Sequence, residues 1–392
     1  MANKKRAVLI SCSDHYAHRL FAIDAYLKSA GWATTYVTSD FDHSSKRVFR
    51  CSVPGCVQLP ARPYQKNLSP ARILSHRQYA KDVFRWLEKQ EEPDLAVVIL
   101  PPNYQAQYGA AYKKRHPRVR LIFDLFDLWP ETFPFGKMKK LLAPPFAVWA
   151  GVRDRHLSAA DLVTAECDLF REKLGRPDIR TVYLAARPLE GVSYEFTGPF
   201  DTWQLCYLGA INNIIDIPAI ARLLHALTAY RPVTLHVIGG GERQQELLSA
   251  AEDAGARVMY HGVLYDEAEK HAVMNGCHFG LNLMKNSVCV GLTMKSVDYL
   301  KHGLPLLSNI PADTERLIRG KHIGVQVTGD GAACAAAVAA MGPEELLAVR
   351  ANARRAFGEL FDLRVICAQY ETLLPPLWDG DEEKEARHGN DR

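Results

Sequence analysis

Along most of the chain, short apolar runs alternate with longer stretches of helical period. Ala7–Ser11 reads as a buried strand, followed by a helix over 20–30 that stops at Gly31, and Thr34–Thr38 as a β-branched strand. A helical pattern over 70–89 leads to the continuous apolar run Leu95–Leu100, bounded by Pro101 and Pro102. A helix over 105–114, a strand over 120–123, a helix over 142–159, a strand over 161–164 and a helix over 167–174 follow. Strands alternating with helices of 10–15 residues predict a parallel, doubly wound sheet.

The pattern then breaks and begins again. Residues 187–201 are polar and contain Pro and Gly, as a linker does. Strands are predicted over 204–208, 234–238, 257–261, 278–283, 305–308 and 324–327. Helices over 217–229, 242–254, 267–275, 293–301 and 311–317 alternate with them, and helical patterns from 332 to 374 close the chain. The expected organisation is a Rossmann-like domain over 1–190, a linker over 191–202 and a second Rossmann-like domain over 203–365. A helix over 366–378 returns to the first domain, and a charged, apolar-poor tail over 379–392 is expected to be disordered. The fold class is α/β, two tandem Rossmann-like domains facing across a cleft, where strand carboxyl ends present ligands.

A length of 392 residues suits two domains. No run approaches the roughly 18–20 apolar residues that span a bilayer, and polar Ser11, Ser13, Asp14 and His15 interrupt the first apolar run too early for a secretory signal. The nine cysteines are scattered without Cys-x-x-Cys spacing, which argues against zinc and for a reduced, cytoplasmic protein. Net charge is +4, yet residues 1–195 carry 30 Lys+Arg against 20 Asp+Glu. That basic half suits an anionic surface, with phospholipid, a lipid pyrophosphate and nucleic acid all open on charge alone. Within it, Lys137, Lys139 and Lys140 lead into apolar Leu141–Trp149, with Arg153 and Arg155 beyond. This segment reads either as a helix lying on an anionic bilayer or as a core helix with a charged first turn.

The most informative segment is Asn286–Ser308. A Gly-led loop opens a helix at Thr293, a good N-cap, so that backbone N–H groups of Gly291, Leu292 and Thr293 point at an anion. Lys295, one turn in, reaches the same anion. Asp298, three residues on and on the same face, is placed for a diol such as a ribose.

This segment resembles the diphosphate helix of the family 4 retaining glycosyltransferases, a GT-B family, with Lys295-Ser-Val-Asp298-Tyr299, Gly303 and Pro305 matching its K-x-x-E-Y-x-x-x-G-x-P pattern. Tyr207-Leu-Gly209-Ala-Ile-Asn-Asn, Leu235-His-Val-Ile-Gly239-Gly-Gly241 and Val258-Met-Tyr-His-Gly262-Val-Leu resemble the first three strand ends of the family's donor domain. In the first domain, Phe123-Asp-Leu-Phe-Asp127-Leu-Trp-Pro-Glu131 resembles the D-L-W-P-E segment of a subgroup that builds cell-surface polysaccharides. The resemblance spans roughly residues 5–375. It implies transfer of a sugar, with retention and without metal or other cofactor, from a nucleotide-sugar donor to a glycan or lipid-linked acceptor, with no nucleic-acid partner. Donor contacts are implied at Gly209, Asn212, Gly240, Leu264, Gly291, Leu292, Thr293, Lys295 and Asp298, and acceptor contacts at His15, Tyr16, Arg19 and Glu131. Catalytic roles fall to Asp127 and Lys295, and localisation to the cytoplasm, peripheral to the membrane's inner face.

The departures are specific. Val290 stands where the family carries the first of two glutamates, Asp298 where it carries the second, and Asn212, Asn213 and Asp216 where it carries Arg and Lys. Asp127 takes the place of a pocket histidine, or simply shapes a turn before Leu-Trp-Pro. Asp40 and Asp42 read as loop polarity, without a third metal ligand. A degenerate binding subunit and a sugar-nucleotide epimerase remain as alternatives, the latter disfavoured by the few acids around Asp298.

Overall fold

The structure is a computed structural model describing residues 4–13, 16–43, 45–51, 53–66, 69–133, 141 and 143–378. It divides into two compact units, Met1–Ala185 with Ile366–Arg392, and Ala186–Val365. Each is a parallel sheet flanked by helices, so the expected tandem Rossmann-like architecture is present.

In the first unit, β1 (Arg6–Ile10), β2 (Ala33–Ser39), β5 (Val57–Leu59), β6 (Leu95–Leu100), β7 (Arg120–Leu125), β8 (Leu162–Ala165) and β9 (Arg180–Thr181) form a seven-stranded sheet. Their order is β5-β2-β1-β6-β7-β8-β9, and β3 (Phe41–Asp42) and β4 (Arg47–Val48) pair antiparallel beside it. All six residues of β6 are buried, as the unbroken apolar run requires when helices cover both faces. The strand order reverses between β1 and β6, and such a switch point opens a crevice at the strands' carboxyl ends. Helices α1 (Ala17–Ser29), α2 (Pro70–Leu87), α3 (Asn103–Arg115), α4 (Ala143–Asp154) and α5 (Asp168–Leu174) belong to this unit.

In the second unit, the strands are β10 (Trp203–Leu208), β11 (Val233–Ile238), β12 (Arg257–Gly262), β13 (Phe279–Asn282), β14 (Leu306–Ser308) and β15 (Gly324–Gln326). They are ordered β12-β11-β10-β13-β14-β15, with the switch point between β10 and β13. The helices are α6 (Ile217–Thr228), α7 (Gln244–Asp253), α8 (Glu267–Asn275), α9 (Met294–Lys301), α10 (Asp313–Lys321), α11 (Ala332–Ala340) and α12 (Pro343–Leu360). Leu205, Tyr207, Leu223, Leu235, Phe279 and Leu281 anchor its core.

The segment 191–202 was expected as a linker, yet aromatic residues fasten it to the second unit. The Tyr194 hydroxyl donates to the Lys301 carbonyl, and the Phe196 ring lies 4.9 Å from that of His278. A last helix, α13 (Leu363–Leu373), carries buried Tyr370 into the first unit, where the Cys367 thiol meets the Ala22 carbonyl. Among the described residues, no single helix is long and apolar enough to cross a membrane.

Candidate functional site

At the carboxyl edge of the second sheet, the turns after β10 and β11 interlock through glycine. The Gly209 N–H donates to the Ile238 carbonyl, the Ile211 N–H to Gly240, and the Gly239 N–H to Gly262. Gly239 and Gly241 have φ of 136° and 155°, and a Cβ on them would lie 2.1 Å from the Gly209 oxygen and 2.4 Å from the Ile211 oxygen. Only glycine fits both the angle and the gap. The Asn212 side chain accepts from the Ile214 N–H, closing a local turn. Gly240 and half-buried Leu264 lie at the ends of neighbouring strands.

Helix α9 starts at this edge. Thr293 is its N-cap, extended in backbone and accepting from the Ser296 N–H at 3.1 Å, which stabilises the helix by about 1 kcal/mol. Asn282 at the end of β13 donates to the same Thr293 oxygen at 2.6 Å and to the Ser296 hydroxyl at 2.9 Å. The Tyr299 hydroxyl enters between β10 and β13, accepting from the Leu208 N–H at 2.7 Å and facing the Cys206 and Leu281 carbonyls. Its ring lies where a Cβ on Gly280 would be, 2.6 Å away. With the helix fixed in this way, the N–H groups of Gly291, Leu292, Thr293, Met294 and Lys295 have no acceptor among the described residues.

Lys295 crosses this edge. Its stem passes 3.2 Å from where a Gly209 Cβ would stand, and its ammonium donates to the Tyr207 hydroxyl at 2.7 Å and lies 4.1 Å from that ring's centre. Tyr207 in turn donates to the Ala210 carbonyl. No carboxylate among the described residues pairs with Lys295, and desolvation pulls its ammonium down to about 7. A desolvated cation with no carboxylate partner among the described residues, beside unsatisfied N–H groups at a helix start, is chemically suited to an anion. Asp298 is engaged with protein, its carboxylate lying 3.3 Å from the Lys301 ammonium, which also meets Glu267 at 2.6 Å. Burial works against the Lys301 charge, but Asp298 and Glu267 hold its ammonium above the usual range.

In the first unit the expected acceptor residues separate. His15 lies outside the described residues. Arg19 was placed on the acceptor side, but its side chain is buried and makes a two-point bond to Asp124, both contacts 2.8 Å. Thr164 completes the carboxylate's shell at 2.8 Å, so Arg19 is a core ion pair on the sheet-facing side of α1. Glu131 is held by fully buried Arg153 of α4 at 2.8 Å and ties the Asp127–Glu131 segment to that helix. Asp127 accepts from the Leu128 N–H at 2.8 Å and the Trp129 indole at 2.6 Å, and burial raises its carboxyl above the usual range. Its oxygens shape the turn, the plainer of the two readings of this residue. Tyr16 does face a pocket, together with Ser13, Tyr64, Arg72, His76 and Trp129, at the carboxyl ends of β1 and β2.

Tyr207 and Tyr299 stand within the quoted motifs but carried no role there, and Asn282 was not singled out, because a strand tyrosine, a helix tyrosine and a strand asparagine read as ordinary structure. Ser75 and His76 were passed over too; they lie on the face of α2 that also carries buried Arg72, Tyr79 and Ala80, and that spacing was the available signal.

Compared by sequence, the chain matches no family model and no curated protein. Compared by structure, it is similar to a sucrose-phosphate synthase from Thermosynechococcus elongatus, with TM-score 0.68 and 14% identity over 96% of this chain and 100% of that one. Anabaena HepE in complex with UDP and glucose matches with TM-score 0.60 and 15% identity, over 94% and 99% of the two chains. The lipopolysaccharide outer core galactosyltransferase WaaB matches with TM-score 0.61 and 14% identity, over 94% and 98%. These likenesses show the fold, two Rossmann-like domains of the GT-B kind.

Proposed function

We propose that the chain is a glycosyltransferase that takes its sugar from a nucleotide-sugar donor held by the second unit. The single observation that carries this reading is Lys295, a desolvated cation with no carboxylate partner among the described residues, set at the start of α9. Glycosyl transfer leaves a diphosphate, whose growing charge must be stabilised as the bond to the sugar breaks. Lys295 and the N–H groups from Gly291 to Lys295 supply that charge stabilisation, so the reaction is proposed to need no metal. The UDP complexes of Anabaena HepE, which share the fold, support a nucleoside diphosphate as the bound group. Gly209, Gly239 and Gly240 let the backbone approach it closely. Retention, and a glycan or lipid-linked acceptor met by the first unit, complete the proposal.

A peripheral membrane position is part of the same reading. Of the residues of α4 only Arg153 is buried, and Leu141 and Val148 are 77% and 68% exposed. An apolar, outward-facing helix suits a bilayer surface. Lys137, Lys139 and Lys140, expected to flank it, lie outside the described residues.

One observation favours the second reading, a binding subunit without turnover: Asp298 is spent on Lys301, and Val290 offers no carboxylate. A screen of UDP-, GDP-, ADP- and dTDP-sugars by calorimetry, with and without EDTA, followed by a donor-hydrolysis assay, tests both. Donor binding unchanged by EDTA, with measurable hydrolysis, is expected. Binding without hydrolysis or transfer supports the subunit, and loss of binding on chelation overturns metal independence.

A further inference from the structure

We propose that the groove between α12 and residues 194–196 of the second unit binds an extended, acidic segment of a partner polypeptide, a role separate from sugar transfer. The groove has a volume of about 610 Å³, with Tyr194 and Phe196 on one side and Leu347, Arg350, Arg354 and Arg355 of α12 on the other. Arg350 is 6% exposed, yet no carboxylate among the described residues pairs with it. Its guanidinium donates to the Cys277 carbonyl and, at 3.0 Å, to the Asn275 side-chain oxygen, and lies 5.0 Å from the centre of the Phe196 ring. These partners are neutral. They satisfy its donors but not its charge, and desolvation pulls the guanidinium down to about 10. Alone, Arg350 would be a staple between α12 and the end of α8; the arginines beyond it make the groove a site.

Arg354 stands one turn further along α12, its guanidinium 3.9 Å from the centre of the Tyr194 ring. That ring is itself fixed: its hydroxyl donates to the Lys301 carbonyl at 3.0 Å, and it packs on Gly303, where a Cβ would come within 3.1 Å. Stacking holds a guanidinium's plane without using its N–H donors. Among the described residues, neither Arg354 nor Arg355 spends those donors on a hydrogen bond or an ion pair. Glu359, one turn beyond Arg355 and within its field, is taken by Lys321 at 2.6 Å. Glu195, the one carboxylate lining the groove, is exposed and pairs with none of the three arginines. Three cations against one carboxylate, beside exposed Leu347, suit an anion that also carries apolar surface. Spacing selects its form. Side chains four apart on a helix stand about 5–6 Å from each other, and alternate residues of an extended chain project to one face about 6.7 Å apart. Carboxylates at alternate positions of an extended peptide therefore come level with Arg350 and Arg354 in turn, and the next position comes level with Leu347. The phosphates of a diphosphate share one bridging oxygen and lie too close together to do so.

The test is fluorescence anisotropy of the full chain with a labelled hexapeptide alternating Glu and Leu, its Gln counterpart, and tripolyphosphate as a competitor. The Glu peptide is expected to bind at least tenfold more tightly than the Gln peptide, less tightly as salt rises, and equally well with saturating UDP. Arg354→Gln and Arg355→Gln, both at exposed positions, should each weaken it at least threefold and leave UDP affinity unchanged. Leu347→Asp, which sets a carboxylate in the groove, should weaken it at least as much. Equal affinity for the two peptides, indifference to both arginine substitutions, or displacement by UDP overturns the inference. Tripolyphosphate competing as tightly as the Glu peptide would make this a site for small polyanions and overturn the polypeptide. Tighter peptide binding after removal of residues 379–392, which are rich in Asp and Glu, would make the chain's own end the occupant and overturn a partner. Failure of UDP to bind would bear on the transferase reading alone.

Discussion

The Lys295 ammonium donates to the Tyr207 hydroxyl at 2.7 Å, and that hydroxyl in turn donates to the Ala210 carbonyl at 2.8 Å. A helix residue and a strand residue thus hold a cation in place with no carboxylate among the described residues paired with it. Burying this cation costs the fold stability.

Lys295→Ala should therefore weaken UDP by at least about 1 kcal/mol, the scale of a charge-assisted hydrogen bond, and leave uridine nearly unchanged. The pH dependence follows from burial, which pulls the Lys295 ammonium down to about 7. A bound diphosphate raises it, so UDP affinity is constant below that pH and falls as pH rises above it, by up to tenfold per unit. Calorimetry between pH 6 and 9 checks this, and a flat profile, or equal losses for uridine and UDP, contradicts the assigned role.

The same depressed ammonium makes Lys295 a burden on folding. The unfolded chain holds its proton up to the ordinary lysine range while the folded chain releases it near 7. The penalty is complete below 7 and disappears as pH rises through the interval between the two. Lys295→Met should raise stability at pH 7 by about 1 kcal/mol or more, after allowing for the side chain's partial exposure, and bring no gain near pH 11. Urea unfolding at the two pH values measures the difference.

Asp298→Asn should weaken nucleosides carrying a ribose diol by about 1 kcal/mol and spare their 2′-deoxy analogues, provided the carboxylate turns from Lys301 to the ligand. Competition assays with uridine and deoxyuridine decide. An equal effect on both would leave Asp298 as the partner of Lys301 and nothing more.

Arg19→Met breaks a fully buried pair and strands the Asp124 carboxylate, so a loss of about 3–5 kcal/mol in the first unit is expected, with UDP affinity intact. A folded variant of normal stability that has lost only acceptor affinity would return Arg19 to the acceptor site.

For the membrane, co-sedimentation with anionic vesicles should fall by about 1 kcal/mol for each charge removed in a Lys137/Lys139/Lys140→Glu variant, and should be screened by salt. Undiminished binding by the folded variant would leave α4 as an outward-facing helix with no bilayer role.

The two sheets were legible because buried strands carry continuous apolar runs. The strand Leu95–Leu100 has the same bounds in sequence and structure, as does the helix Glu267–Asn275, whose start Asp266 caps. The start of α9 was legible because a cap is local, Thr293 bonding within its own turn. Charged residues were harder to place. Arg19 follows a loop at a strand end, where ligands are bound, and only the three-dimensional placement of Asp124, 105 positions away, shows that it points inward. Asp127 was ambiguous for a related reason: its bonds to Leu128 and Trp129 are short in sequence, yet their geometry depends on how the chain turns. Ser75 and His76 carry a helix-face pattern that core residues share, and what distinguishes them is a missing partner, which no sequence displays.

The insertion of the Tyr299 hydroxyl between β10 and β13 anchors α9 from below, independently of the chain that leads into it. The bonds that fix where the helix begins come from Asn282, Thr293, Ser296 and Tyr299, none of them in residues 285–290. The stretch from 285 to 289 is therefore a place where length and composition can drift, by insertion, deletion or graft, while α9 stays in register.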